Sequence, residues 1–229
     1  AAAFADLLRA AAEAAPETRI RFLYGHPDRI DHQLIQTVSA HDNICRYFDI
    51  PVQHVSASVL KRMGRRHDKA ALFELFDRIR AEMPDAALRT TVMVGFPGET
   101  DADFEELLEF METLQFDHLG AFIYSDADDL ASHRLGGHVP AQLAQDRHDI
   151  VMQQQADISL AKNQKIIGRK MAILVEGSVE DGRHYGRSPY QAPEVDGVTF
   201  IDADGLEIGT IVNVRITGAD EYDLTGVPV

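Results

Sequence analysis

The loop that follows a run of β-branched residues near position 90 carries the groups best suited to contact a ligand through the backbone. It reads Gly95, Phe96, Pro97, Gly98 and Glu99. Glycine lets the backbone approach a ligand closely, and α/β proteins bind ligands at the carboxyl ends of their strands. The pattern therefore indicates a ligand-binding loop. A plain tight turn is the alternative, because glycine and proline also punctuate ordinary loops.

Polar side chains end the neighbouring β-rich runs as well. Gln53 and His54 end one run, and a polar side chain there can hydrogen-bond a ribose or an amino-acid group. His54 could instead cap the next helix or pack as a neutral imidazole. Arg89 begins the run before the glycine loop and could pair with a ligand carboxylate or with a neighbouring aspartate. Tyr24 and Tyr124 end two further runs, so all four ends are expected to converge on one face.

Other kinds of active site lack their usual signatures. The ten histidines form no His-Glu-x-x-His motif, and a single cysteine, Cys45, cannot form an internal disulfide or hold a metal cluster alone. The sequence has no Gly-x-Ser-x-Gly elbow, Walker loop or Rossmann glycine set. We therefore predict no metal ligands in this chain. Any metal cofactor must be ligated from outside it.

Four β-rich runs alternate with helical patterns up to residue 165. The predicted strands cover residues 20–24, 47–52, 88–95 and 119–124. Asp31, Asp68 and Thr100 are predicted helix caps, the last in a capping box with Asp103. Alternating strands and helices predict parallel pairing, and four strands cannot close a barrel. We therefore predict a piece of a larger α/β barrel over residues 1–165.

The pattern changes after Gly168 to five short β runs without helical period, which predicts a small antiparallel barrel or sandwich over residues 166–229. The whole chain has 22 basic and 37 acidic residues, a formal charge of −15. From residue 167 onward, 5 basic against 11 acidic residues give −6. This acidity favours a basic protein partner over a phosphate backbone. No apolar run is long enough to span a membrane and no secretory signal is present, so we predict a cytoplasmic protein.

Several motifs resemble the radical S-adenosylmethionine methylthiotransferases. They lie at residues 51–54, 59–63, 88–91 and 94–100. The segment from residue 166 resembles the TRAM domain that closes those enzymes. Within it, residues 186–188 and 192–197 resemble the branch that methylthiolates an aspartate of small-subunit ribosomal protein twelve.

The resemblance implies a partial, open TIM-like radical SAM barrel followed by an OB-like TRAM barrel. It implies S-adenosyl-L-methionine as cofactor and two 4Fe–4S clusters in the full-length enzyme. The family's three-cysteine loop is not in this chain, so the clusters would be ligated outside it, and the chain alone is expected to be inactive, with no catalytic residue of its own. In the full enzyme a radical would abstract hydrogen from the aspartate β-carbon before the methylthio group is delivered there.

The resemblance also assigns roles to residues. It places residues 95–99 along the adenine, Gln53 or His54 near the ribose and Arg89 toward the methionine carboxylate. In the TRAM segment the candidate contacts to the protein substrate are Arg187, Glu194 and Asp196.

Two other functions remain open at this point. A methylthiotransferase acting on tRNA adenosine would share the chemistry, although a basic TRAM surface would then be expected. A noncatalytic protein-binding module, with the β-barrel as the recognition surface, is the alternative from a different class.

Overall fold

The structure, a computed structural model, describes residues 2–180 and 182–229. The chain divides into two compact units, Ala1–Gln155 and Ala156–Val229. Helix α6, Ala141–Gln164, runs through the point of division. The boundary predicted at residue 165 lies just after the end of this helix.

The first unit is an α/β layer. Its helices before α6 are α1 (Ala2–Ala14), α2 (His32–Ala40), α3 (Ala57–Arg62), α4 (Lys69–Glu82) and α5 (Asp101–Leu114). Its strands are β1 (Tyr47–Asp49), β2 (Ala87–Val94) and β3 (His118–Ile123), which pair in parallel in the order β1-β2-β3. The predicted parallel α/β architecture is confirmed. The sheet is open, as expected for part of a barrel.

The prediction of a fourth strand over residues 20–24 was wrong. Ile20 forms a single parallel β-bridge with Ile44, and residues 21–24 form no further β-bridges to β1. The reason lies at the end of the run, where Tyr24 has a φ of 59° and leaves the extended conformation. The segment still lies beside β1, because the Gly25 N–H donates to the Asp49 carbonyl at 2.7 Å.

The predicted helix caps are present. The carboxylates of Asp31 and Asp68 accept from the backbone N–H groups of Leu34 and Ala71, each at 2.9 Å. Thr100 and Asp103 form a reciprocal capping box at the start of α5. These caps fix where each helix begins, and therefore where the preceding loop meets the carboxyl end of the sheet.

Strand β2 separates the buried core from the open face of the sheet. Leu88, Thr90, Val92 and Val94 are buried, whereas Arg89, Thr91 and Met93 alternate with them and are partly exposed. Successive side chains of a strand point to opposite faces. The buried side packs against the apolar core of the first unit, and the open side carries Arg89 and Thr91 up to the glycine loop.

The second unit contains a closed five-stranded barrel. Its strands are β4 (Lys170–Ser178), β5 (His184–Arg187), β6 (Thr199–Ile201), β7 (Ile211–Ala219) and β8 (Leu224–Pro228). They close in the order β4-β5-β6-β8-β7 around a small apolar core. The prediction of a wholly antiparallel barrel needs one correction, since β6 and β8 pair in parallel. In the described part of the chain, no helix is long and apolar enough to cross a membrane.

Candidate functional site

The glycine loop closes on its own carboxylate. Gly95 follows β2 with a φ of 76°, and Gly98 has a φ of 87°. The Glu99 carboxylate accepts from the backbone N–H groups of Gly95 at 2.7 Å and Phe96 at 3.3 Å. The Glu99 N–H donates in turn to the Phe96 carbonyl at 3.0 Å. These bonds hold the loop in one conformation at the carboxyl end of β2.

A buried ion pair fixes Glu99. Its carboxylate lies 2.8 Å from the Arg147 guanidinium, and the two side chains are 0% and 3% exposed. Arg147 also lies 2.6 Å from Asp101. Burial raises the pKa of Glu99, while Arg147 and the two loop N–H groups oppose that rise. The Glu99 carboxylate therefore stabilises the conformation of the loop.

Of the loop residues, only Gly98 is partly exposed, whereas the residues on either side of it are buried. A Cβ on Gly98 would lie 2.6 Å from Cζ of Arg62, the far end of a flexible, exposed side chain. The Gly98 N–H donates to the Gly137 carbonyl at 2.7 Å. At Gly95 a Cβ would instead lie 2.7 Å from the Ala144 Cβ. Gly95 therefore serves packing, and Gly98 is the loop residue whose backbone is partly open to solvent.

Gln53 lies beside the same strand end. Its backbone is tied to β2, since its N–H donates to the Thr91 carbonyl at 2.9 Å and its carbonyl accepts from the Met93 N–H at 2.7 Å. Its φ is 68°, a conformation that non-glycine residues adopt rarely and that is often found at functional sites. Its side chain is partly exposed.

His54, the next residue, is fully buried. Its Nδ1 accepts from the Ser56 N–H at 3.0 Å, and Nε2 has no hydrogen-bond partner among the described residues. Burial lowers the pKa of His54 to about 4; Asp103 opposes the change and Arg147 adds to it. His54 is therefore a neutral, packed imidazole near neutral pH. Of the two candidates for a ribose contact, Gln53 is the accessible one.

Asp103 connects this region to the start of α5. Its carboxylate accepts from the hydroxyls of Ser56, Ser58 and Thr100 and from the Thr100 N–H. Burial works against ionisation, but these hydrogen bonds lower the pKa of Asp103 well below its usual value. The loop after β1 and the cap of α5 thus share one anionic group.

We expect His54→Asn to reduce the loss of stability in acid. The unfolded histidine takes up a proton near pH 6.5 and the folded one near pH 4, so stability is full above 6.5 and falls as the pH drops between these values. The loss reaches about 3 kcal/mol. Asparagine keeps an acceptor for the Ser56 N–H and does not titrate.

The measurement is the free energy of unfolding in urea for both proteins across this pH range. The other titrating groups are common to both, so the difference between the curves isolates His54. Parallel curves would show that the imidazole is accessible to protons in the folded state.

Arg89 pairs with Asp49 across neighbouring strands. Its Nε lies 3.5 Å from Asp49 Oδ1, and their side chains are 15% and 4% exposed. On the same face, Thr91 lies in register with Gly120 of β3. A Cβ added to Gly120 would have only Arg89 Nη2 within 4 Å, at 3.6 Å. On the open face, the described residues therefore leave the Gly120 backbone uncovered except by the charged group of Arg89.

The candidate residues of the second unit are placed differently. Arg187 forms a two-point ion pair with Glu176, at 2.7 Å and 2.6 Å. Asp196 accepts from the Ala192 N–H at 2.7 Å and so shapes its own loop. Glu194 is exposed and has a φ of 66°. Of the three, Glu194 is presented most openly to solvent.

The residues present fit a nucleoside cofactor better than a metal cluster. Among the described residues, no three His, Cys, Asp or Glu side chains are arranged to hold a metal ion. The only cysteine of the sequence, Cys45, is buried. By contrast, Gly98 of the glycine loop offers a partly exposed backbone, and Gln53 offers a partly exposed polar side chain beside the same strand end. These features suit the adenosyl part of S-adenosylmethionine.

Sequence reasoning missed several residues of this site. Arg147, Arg62 and Gly137 contact the glycine loop from distant positions in the chain. No local pattern marks them, because their roles arise only from tertiary packing. The sequence around Arg147 carries no sign that its partner is a buried glutamate.

Family comparison defines the class of protein. Residues 2–111 match the Radical SAM superfamily, and residues 167–229 match the TRAM domain. A chain with this α/β sheet, glycine loop and closed β-barrel is therefore a radical SAM protein that carries a TRAM domain.

The curated relatives give the branch. The protein named ribosomal protein uS12 methylthiotransferase RimO from Desulfosudis oleivorans is 55% identical over 223 residues, 97% of this chain and 51% of that protein. Proteins with the same name from Clostridioides difficile and Thermotoga petrophila are 43% and 42% identical, over 90% and 98% of this chain and 47% and 52% of their own. The chain belongs to the RimO-type radical SAM methylthiotransferases, and it spans about half the length of these relatives.

Among solved structures, coproporphyrinogen III oxidase (HemN) from Escherichia coli aligns with a TM-score of 0.49 and 17% identity. The alignment covers 72% of this chain and 43% of that one, and the likeness is too distant to bear on the assignment.

Proposed function

We propose that the gene product carrying this sequence transfers a methylthio group to the β-carbon of an aspartate of ribosomal protein uS12. The observation that supports this most strongly is the glycine loop after β2, which Glu99 and Arg147 hold in place beside the open face of the sheet. The names of the relatives support the choice of substrate.

The chain's own residues would bind and orient the cofactor. The backbone at Gly98 would lie along the adenine, and Gln53 would hydrogen-bond the ribose. Arg89 would face the methionine carboxylate, although its pairing with Asp49 makes it a weaker partner than a free cation. Glu99 and His54 would act behind this layer by fixing the loop and the end of β1. When bound, S-adenosylmethionine supplies the hydrogen-abstracting and methyl-donating chemistry.

The 4Fe–4S clusters would be ligated by cysteines outside these 229 residues, because a single buried cysteine cannot hold one. The 229 residues alone would then bind but not react. The family acts on a ribosomal protein, so we place the gene product in the cytoplasm.

The test is anaerobic reconstitution of the gene product with iron and sulfide, followed by incubation with reductant, S-adenosylmethionine and purified uS12. We expect a methylthio group on one aspartate in the peptide mass spectrum. Failure to cleave S-adenosylmethionine would refute the enzymatic proposal. Cleavage with transfer to tRNA but not to uS12 would refute the choice of substrate.

The acidity of the second unit gives a prediction about association. We expect the triple variant Asp202→Lys, Asp204→Lys and Glu207→Lys to bind uS12 more slowly at low salt, by about three- to tenfold, because the three exposed carboxylates attract a basic partner. Stopped-flow mixing over a range of salt concentrations measures the rate.

The matched control reverses the same number of charges on the first unit. The three carboxylates to reverse are Glu13, Glu105 and Glu109, which are exposed. A smaller effect in the control shows that the second unit guides the encounter. If the association rate depends on neither the salt concentration nor the charge reversal on the second unit, electrostatic steering by this unit is refuted.

A further inference from the structure

Tyr24 has an unfavourable backbone conformation and a side chain that the described residues leave largely uncovered. Its φ of 59° is rare for a bulky residue, and glycine would adopt it without strain. The residue is 78% exposed, the highest value among the large apolar and aromatic residues that the structure describes. No described residue accepts or donates a hydrogen bond to its hydroxyl. The contacts within these 229 residues therefore do not explain the choice of tyrosine.

Neighbouring groups hold Tyr24 in this conformation. Its N–H donates to Asp49 Oδ2 at 3.0 Å, and the next N–H, from Gly25, donates to the Asp49 carbonyl at 2.7 Å. Asp49 is itself buried and paired with Arg89. Gly25 has little room for a side chain, since a Cβ would lie 2.8 Å from Ile30 Cδ1. A strained backbone conformation persists where the surrounding contacts stabilise it by more than the strain costs. Residues with such conformations cluster at functional sites.

The position of Tyr24 indicates what it contacts. Its segment lies beside β1, and β1 lies beside β2. Neighbouring strands are about 4.8 Å apart, so Tyr24 lies about 10 Å across the sheet from the glycine loop. Gln53 and the end of β1 lie between them. A nucleoside bound at the glycine loop would therefore lie on one side of the carboxyl end of the sheet, and Tyr24 would lie on the other side.

We propose that Tyr24 contacts the protein substrate and positions the peptide segment that carries the reacting aspartate. This inference rests on the proposed function and adds a specificity-determining residue to it. An exposed aromatic ring suits a peptide partner, because it offers a large, rigid contact area at low conformational cost. The strained backbone holds the ring in place before the substrate arrives.

The test is Tyr24→Gly in the gene product, with uS12 and S-adenosylmethionine affinities and the thermal midpoint measured separately. We expect the midpoint to rise because the strain is relieved. We expect the Kd for uS12 to weaken by about tenfold, a typical loss for a central aromatic contact. The Kd for S-adenosylmethionine should stay within about twofold of the parent value, and Tyr24→Phe should bind uS12 almost as the parent does.

Gln115→Gly is the matched control. Gln115 caps the carboxyl end of α5 with a φ of 51°, so glycine relieves a similar backbone conformation away from the glycine loop. The control should gain stability and bind uS12 normally. An unchanged uS12 affinity in Tyr24→Gly would overturn the proposal, as would a parent protein that fails to bind uS12. An equal loss of S-adenosylmethionine affinity would also overturn it, because the ring would then contact the cofactor.

Failure of the proposed function gives a different result. If the parent protein binds uS12 but transfers no methylthio group, the enzymatic proposal fails while the binding role of Tyr24 is still measured.

Discussion

Glu99→Ala in the gene product is expected to lower the free energy of unfolding by about 3–5 kcal/mol and to disorder the glycine loop. The substitution leaves the Arg147 guanidinium buried with one of its two carboxylate partners gone, and it leaves the N–H groups of Gly95 and Phe96 without their acceptor. Chemical denaturation measures the stability. We expect the affinity for S-adenosylmethionine to fall with it.

Glu105→Ala is the control, since this exposed glutamate lies on the helix that follows the loop, α5, and has no ion pair among the described residues. It should change stability by no more than about 0.5 kcal/mol. A double substitution with Arg147→Met should recover part of the loss, because it removes the uncompensated buried charge. Equal stabilities for the alanine variants at 99 and 105 would show that the buried pair does not hold the loop.

Gly98→Val is expected to weaken S-adenosylmethionine binding by tenfold or more while leaving the spectrum of the reconstituted cluster unchanged, because about 1.4 kcal/mol of lost contact is enough for that factor. Gly98 is the partly exposed residue of the loop, and its φ of 87° disfavours any side chain. Its Cβ would also meet the Arg62 guanidinium at 2.6 Å. Added bulk therefore displaces the Arg62 side chain and crowds the surface of the loop without removing a cluster ligand.

An affinity loss in Gly98→Val could come from backbone strain alone or from loss of the ligand contact, and a second variant separates the two causes. Gly64→Val provides the comparison, since Gly64 has a φ of 71° and a Cβ there would meet no atom within 4 Å. Both variants should lose similar stability through the backbone. An affinity loss shared equally by both would show that the effect at Gly98 is indirect, and an unchanged affinity in Gly98→Val would refute the assignment of the loop.

Local signals account for the parts of the fold that the sequence predicts. The caps at Asp31, Asp68 and Thr100 were predicted because each side chain bonds a backbone N–H within its own helix turn. The glycine loop was predicted because it follows a buried parallel strand. The five β runs after Gly168 were likewise separable by their glycine and aspartate turns.

Features that depend on tertiary contacts could not be predicted from local sequence patterns. The left-handed backbone of Tyr24, which ends the expected fourth strand, depends on Asp49 from another part of the chain. The adjacent residues Gln53 and His54 differ in exposure, since Gln53 is partly exposed and His54 is buried, and no local pattern predicts this difference. In the barrel, the parallel β6–β8 pair arises from closure and not from any local pattern. The pairing of Arg187 with Glu176 is set by the register of two strands.

The most direct test of the account is hydrogen–deuterium exchange of the gene product with and without S-adenosylmethionine. We expect slower exchange on binding at the amides of Gly95, Phe96 and Gly98 and around Gln53, with the barrel of residues 170–228 unchanged. Protection confined to other segments, with the glycine loop exchanging at the same rate in both states, would contradict the claim that the carboxyl end of this sheet binds the adenosyl group.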